Sequence, residues 1–330
     1  MLIVGKVAYM NKTAYILFPF LLVLVIIVSL SVGQYHVNLF TQDAVDTSII
    51  MELRLPRVLI AVCMGACLGV SGAILQGVFK NPLADPYILG TSSGAALAAT
   101  FSFLTGSVLS VWSTPMLALL GALLTTAVLL SLGRDAYGLR TERLLLAGVG
   151  LGFFLSAFLL LVMSLAKSDG LKRALLWMSG DLGSADWTIL PFALVLMTGG
   201  ITIGLIRYRG LNALALGDEV AHGLGLHPAK ERTWLVIAAS LLTAASVALG
   251  GIVGFIGLMV PHVVRSMTGA DARKVIPLSA IGGAILLCIA DTLGRSILPP
   301  MEIPAGIVTA LIGAPWFLIV LRRQGQGGLR

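Results

Sequence analysis

The run Trp234-Leu-Val-Ile-Ala-Ala-Ser-Leu-Leu-Thr-Ala-Ala-Ser-Val-Ala-Leu-Gly250-Gly251-Ile-Val-Gly254-Phe-Ile-Gly257-Leu-Met-Val-Pro261-His-Val-Val264 holds 31 residues of almost unbroken apolar sequence. As one helix it would be about 46 Å long at 1.5 Å per residue, against a hydrocarbon core of about 30 Å. Gly250, Gly251, Gly254 and Gly257 stand in its middle, where they suit a break better than a continuous helix. The run is therefore read as two membrane segments. The second, Ile252 to Val264, has 13 residues and is short enough to be slanted or re-entrant.

The rest of the chain has the same character. Of its 330 residues 58% are hydrophobic and 11% charged, with a mean hydropathy of +0.99, a balance foreign to water-soluble globular folds. Eight more apolar stretches are legible: Ala14 to Val32, Val58 to Phe79, Ile88 to Leu104, Met116 to Leu132, Leu144 to Ala166, Ile189 to Ile206, Ile276 to Leu298 and Ile303 to Leu321. The first follows Lys6 and Lys12 but is longer than a signal-peptide core and lacks an Ala-x-Ala site, so it reads as a retained helix. The expectation is an all-α membrane protein, a compact bundle of about ten transmembrane helices forming a single transmembrane domain over 1–330. Little chain is left for a soluble nucleotide-hydrolysing or nucleic-acid-binding domain.

Charge supports the broken reading, because Lys and Arg concentrate on the cytoplasmic side. With the long run broken and the N-terminus inside, 16 basic residues fall inside and six outside: Arg54, Arg57, Lys167, Lys172, Arg173 and Arg295. Left unbroken, the run gives 11 on each side. Both termini are thus expected to be cytoplasmic. The net charge of +7 is a topology signal, +9 inside and −2 outside, and calls for no nucleic-acid partner.

Three enzyme-like signals fail on inspection. Gly69-Val70-Ser71-Gly72 has the form used by intramembrane serine proteases, but His36, His222 and His227 lie in loops and His262 sits near the cytoplasmic end of a segment, so no buried base is supplied. Gly133 to Gly138 has the glycine spacing of a phosphate loop, with Leu139 and Arg140 where Lys and Ser or Thr are required. Cys63 and Cys67 are four apart without a second soft pair, so no metal site is expected.

More positive features remain. Ala61, Gly65, Gly69, Ala73 and Gly77 recur every four residues, a ridge of small side chains where another helix can approach closely. With Gly72, Gly254 and Gly257 they are candidates for tight packing or a moving gate. Gly90, Gly94 and Ala98, and Gly148, Gly152 and Ser156, repeat the spacing. Asp291 and Arg295 are four apart and can pair on one helix face, in a structural or a transport role. No chain of buried Asp, Glu or His suggests a proton relay. The longest cytoplasmic connection, Arg207 to Arg232, contains two short helical pieces broken at Gly217 and again at Gly223 and Gly225. It either rests on the bilayer surface or docks an energy-supplying partner.

Over nearly the whole chain these residues resemble a known family. Arg54-Leu-Pro-Arg57, Ser71-Gly-Ala-Ile-Leu-Gln76, Asn81-Pro-Leu-Ala-Asp-Pro86 and Leu89-Gly90 are followed by Leu216-Gly-Asp-Glu-Val-Ala221, Leu224-Gly225 and Gly254-Phe-Ile-Gly-Leu-Met-Val-Pro-His262. Ala290-Asp291, Arg295, Glu302-Ile-Pro-Ala-Gly306, Thr309-Ala310 and Gly313-Ala-Pro315 complete the series. In order and spacing they resemble permease subunits of ATP-driven (ABC) importers for iron-siderophores, haem and vitamin B12, the FecCD/BtuC-like type II importers of prokaryotic cytoplasmic membranes.

The resemblance implies a homodimer with the pathway between its copies, two cytoplasmic ATPase subunits that bind ATP, and an extracytoplasmic substrate-binding protein. The chain itself would be no enzyme and hold no cofactor. It further implies that Arg54, Arg57 and Arg295 dock the binding protein. The segment 211–226, with Gly217, Asp218, Glu219, Ala221, His222, Gly223, Leu224 and Gly225, would couple to the ATPase. The rival readings are an ion-coupled secondary transporter with broken helices and, more distantly, a membrane-embedded hydrolase.

Overall fold

A computed structural model describes residues 2–33, 35, 44–104, 112–135, 138–165 and 168–327. Lys167, counted above among the outer basic residues, and His36 lie outside the described residues. Fourteen α-helices follow in order: α1 (Leu2–Ser31), α2 (Ala44–Ser48), α3 (Leu55–Val78), α4 (Thr91–Leu104), α5 (Ser113–Leu132), α6 (Thr141–Ser164), α7 (Ser168–Met178), α8 (Leu190–Ile206), α9 (Tyr208–Leu216), α10 (Asp218–Gly223), α11 (Pro228–Gly250), α12 (Ile256–Thr268), α13 (Ala272–Gly294) and α14 (Ala305–Gly327). A π-helical stretch, Ile49–Arg54, fuses α2 to α3, and a two-stranded ribbon, Arg134–Asp135 with Gly138–Leu139, joins α5 to α6.

Each of the ten apolar stretches is helical. Six helical runs are long and apolar enough to cross a membrane, and the bent pair α8 and α9 makes a seventh. The other three are the shorter α4 and α12, of 14 and 13 residues, and α14, whose apolar part is Ala305–Val320.

The 31-residue run breaks where its glycines stand. Helix α11 stops at Gly250, Gly251 takes φ +81°, and Phe255 enters α12 in the left-handed region at φ +67°. A Cβ on Gly251 would stand 1.8 Å from the Trp177 carbonyl oxygen, so glycine is required there for space as well as for φ. Gly250 lies beside Met64, Gly257 beside Leu68, and Arg265 bonds Ala73 and Gln76. Helix α12, about 20 Å long, is therefore laid along the second half of α3, from Leu68 to Gln76.

Helix α3 is the axis of the bundle, buried nearly all round. Its most extensive neighbour is α13, then α11 and α12. The small-residue ridge makes this possible: the positions for a Cβ on Gly65 and Gly69 are 2.2 and 2.1 Å from the carbonyl oxygens of Gly283 and Ser279 on α13. The other two ridges meet near Gly90, which faces Gly148 and Gly152, while the Ser93 and Ser156 hydroxyls bond at 3.1 Å.

Candidate functional site

Helix-end chemistry places three charged clusters. At the end where α1 finishes and α3 begins, the structure brings Arg54, Arg57 and Arg295 around one cavity of about 520 Å³, together with Gly33 and Glu302. They do not play equal parts. Arg54 and Arg295 are buried and turn toward the last turn of α1: Arg54 Nη1 donates to the Leu30 carbonyl at 2.7 Å and Nη2 to that of Tyr35, while Arg295 Nη2 donates to the Ser29 carbonyl. Two guanidinium groups thus satisfy carbonyls that a helix end leaves without partners and complement its negative dipole end.

Arg57 is held differently. Its Nε lies 3.0 and 3.1 Å from the two oxygens of Asp291, and its Nη2 donates to the first of them at 2.9 Å. Asp291 is also ion-paired at 3.4 Å with Arg295, the pair expected from their spacing on one helix. On the other side Arg57 Nη1 donates to Glu302 Oε2 at 2.8 Å. Asp291 is 3% exposed and Glu302 37%. The engagement of Arg57 by both carboxylates, across more than 230 residues of chain, was not legible in the sequence, although both acids stand in the quoted motifs.

At the opposite end the 207–232 connection forms α9 and α10, broken at Gly217 with φ +136° and left at Gly225 with φ +78°. This is the pair of short helices expected there. Two ties hold it. Buried Arg232 donates from Nη2 to both oxygens of Asp218 at 2.8 Å and from Nη1 to the Leu139 carbonyl at 2.6 Å, and Lys80 Nζ approaches Asp218 at 3.8 Å. Asn212 donates to Asp271 at 2.9 Å and accepts from the Ala272 amide at 2.8 Å, fastening α9 to the start of α13. The Asn212 amide, with the Arg273 amide and neighbouring basic charges, holds the Asp271 carboxyl below the usual carboxylate range.

Within this segment Ala221 faces inward and is fully buried, whereas Glu219, His222, Gly223, Leu224 and Gly225 are exposed. Leu216, the last residue of α9, and Val220 and Leu224, within α10 and at its C-terminal cap, are left open at 73, 43 and 66% exposure. Leu216 and Val220 were not singled out from the sequence as contact residues, although both stand in the quoted motif Leu216 to Ala221. A groove of about 600 Å³ opens where Asp218 meets Arg232, lined also by Lys80, Arg140 and Glu142 among others.

The glycines divide as well. A Cβ on Gly72 would lie 1.8 Å from the Gly257 carbonyl oxygen, and one on Gly257 2.5 Å from the Pro86 ring, so both are close-approach positions on the α3–α12 crossing. Nothing lies within 4 Å of the Cβ position of Gly254, and the structure does not bring it into that crossing. Ser71, of the protease-like tetrapeptide, bonds the Ala239 carbonyl at 2.9 Å and Thr243 Oγ1 at 2.8 Å, with no histidine as partner. Buried Asp291 and Glu231 are each paired with an arginine, Glu231 with Arg207 at 2.8 Å.

These elements form a multi-pass helical membrane bundle with a charged cluster at one end and a tethered two-helix element at the other, and its similarity to known proteins makes it a permease of the ABC type. The chain belongs to the FecCD transport family, whose model matches residues 21–323. It is 40% identical over 320 residues to the hemin transport system permease protein HmuU of Yersinia pestis, covering 93% of this chain and 95% of that one. It is 40% identical over 276 residues to the Fe(3+) dicitrate transport system permease protein FecD of Escherichia coli, covering 84% and 86%. It is 41% identical over 280 residues to the vitamin B12 import system permease protein BtuC of Klebsiella pneumoniae, covering 84% of each. A solved structure described as an inward-facing conformation of a metal-chelate type ABC transporter superposes with a TM-score of 0.87 at 31% identity, over 94% of this chain and 99% of the other.

Proposed function

We propose that the protein is the membrane-spanning subunit of a binding-protein-dependent importer in a prokaryotic cytoplasmic membrane. It carries an iron complex, haem or a cobalamin-type substrate, the cargo class named for HmuU, FecD and BtuC. Two copies form the pathway between them, two separate ATPase subunits bind and hydrolyse ATP, and a substrate-binding protein delivers cargo to the face of Arg54, Arg57 and Arg295. The observation that carries the reading is a two-helix element tied down at Asp218 and Asn212 that leaves Leu216, Val220 and Leu224 exposed. An element so held transmits a push as a rigid body, where a slack loop would absorb it. At its far end α13, the helix that receives the Asn212 tie, carries Asp291 and Arg295.

The test is reconstitution with the cognate ATPase and binding protein in proteoliposomes, followed by ATP-dependent uptake of haemin, ferric citrate, a ferric hydroxamate and cyanocobalamin in parallel. Accumulation of one of these with ATP, and its loss when Arg54 and Arg57 are both changed to Glu, is the expected result. Uptake driven by an ion gradient without ATP would refute the importer assignment.

A further inference from the structure

We infer that Glu302 is a built-in stand-in for a carboxylate of the substrate-binding protein: it occupies the outward end of Arg57 and is displaced when that protein docks. The inference rests on the docking role proposed above for Arg57.

The two acids that hold Arg57 are unlike. Asp291 is buried and takes the Nε and Nη2 edge of the guanidinium through contacts of 2.9 to 3.1 Å. This is the side-on grip that fixes both the position and the plane of an arginine. Glu302 meets the remaining end, Nη1, at 2.8 Å, and more than a third of its side chain is open to solvent. A pair open to solvent on one side contributes less, because water competes for the exposed partner. A buried, doubly engaged one cannot be opened without stranding charge. Any exchange of partners at Arg57 therefore takes place at Glu302, with Asp291 holding the guanidinium still.

The neighbouring arginines sharpen the point. Arg54 and Arg295 spend Nη donors on α1 carbonyls and are buried, so of the three it is Arg57 that already presents a bond to an exposed carboxylate at the rim of the 520 Å³ cavity. An acidic side chain from a docking protein would make the same N–H to O bond that Glu302 makes. Docking would then replace one carboxylate by another, and Glu302 would both compete for Nη1 and repel the newcomer. Such a device keeps the guanidinium neutralised and oriented while no partner is bound. It also lowers docking affinity, so that the partner can leave after delivery.

Glu302→Gln removes the charge and keeps the shape. The assay titrates the labelled cognate binding protein onto the purified permease–ATPase complex in nanodiscs at low salt. The expected result is a Kd lowered about three- to tenfold, the size of an exposed charge contact, and loss of that gain in an Arg57→Gln background. Glu302→Asp, which shortens the reach to Nη1, should move Kd in the same direction by less, and serves if the Gln variant fails to assemble. Unchanged or weaker docking by Glu302→Gln, with Arg57→Gln still weakening it, overturns the inference and leaves the docking role standing. A gain that survives in Arg57→Gln overturns it as well, reducing Glu302 to a general surface charge. If Arg57→Gln itself leaves Kd unchanged, it is the docking role that falls.

Discussion

Changing Gly72 to Ala adds one methyl group at the α3–α12 crossing. The new Cβ would be 1.8 Å from the Gly257 carbonyl oxygen and 2.6 Å from the Gly257 Cα, while ordinary contact begins near 3.4 Å. The neighbour is backbone and has no rotamer to turn, so α12 must retreat by about 1.6 Å, at an overpacking cost of about 1–3 kcal/mol. The retreat also breaks the bonds from Gln76 Nε2 to the Leu258 and Gly257 carbonyls, now 3.0 and 3.3 Å, for about 1 kcal/mol more. Alanine returns about 1 kcal/mol of helix propensity, leaving a net loss of about 1–3 kcal/mol. With an unfolding entropy of about 2.1 cal/mol/K per residue over this length, the midpoint falls by roughly 1–4 °C. The control is Gly254→Ala, where nothing lies within 4 Å of the added atom and the change stays within about 0.5 kcal/mol. Heating the detergent-purified protein and measuring the surviving monodisperse peak by size-exclusion chromatography compares the two. Equal losses in both variants, or a Gly72→Ala protein as stable as the parent, would refute the close-approach reasoning.

Two further outcomes concern the coupling element. Asp218→Asn weakens the charged grip on buried Arg232, worth about 1–3 kcal/mol for hydrogen bonds to a charged partner; ATPase stimulation by the binding protein should fall while docking affinity is kept, as read by ATP hydrolysis and titration side by side. A cysteine at Leu224, 66% exposed, should crosslink to the ATPase subunit with a short bifunctional reagent, whereas one at Ala221, fully buried, should not; the reverse pattern would place a different face of α10 against the partner.

Several layers of this protein are determined by the sequence itself. Hydropathy and the Lys and Arg asymmetry yield the ten stretches, because partition into a bilayer is a local property of each segment. Gly217, Gly223 and Gly225 mark the two-helix element, and Gly250 and Gly251 mark the break, because tight turns and left-handed φ are also local demands. The spacing of Gly65 and Gly69 announces a close-packed face without naming the helix that meets it.

Tertiary structure decides what depends on distant partners. That α12 lies along the second half of α3 follows from its contacts with Leu68, Gly72 and Gln76, none of which its own length specifies. That Gly254 makes no close approach while Gly257 does is a matter of which neighbour passes by. The three outer arginines look equivalent as letters, yet two of them serve the end of α1 and one is divided between Asp291 and Glu302. A guanidinium's role is set by which acceptors lie within about 3 Å of its five donors, and here those acceptors come from α1, α13 and the chain before α14. Only the folded bundle brings them together.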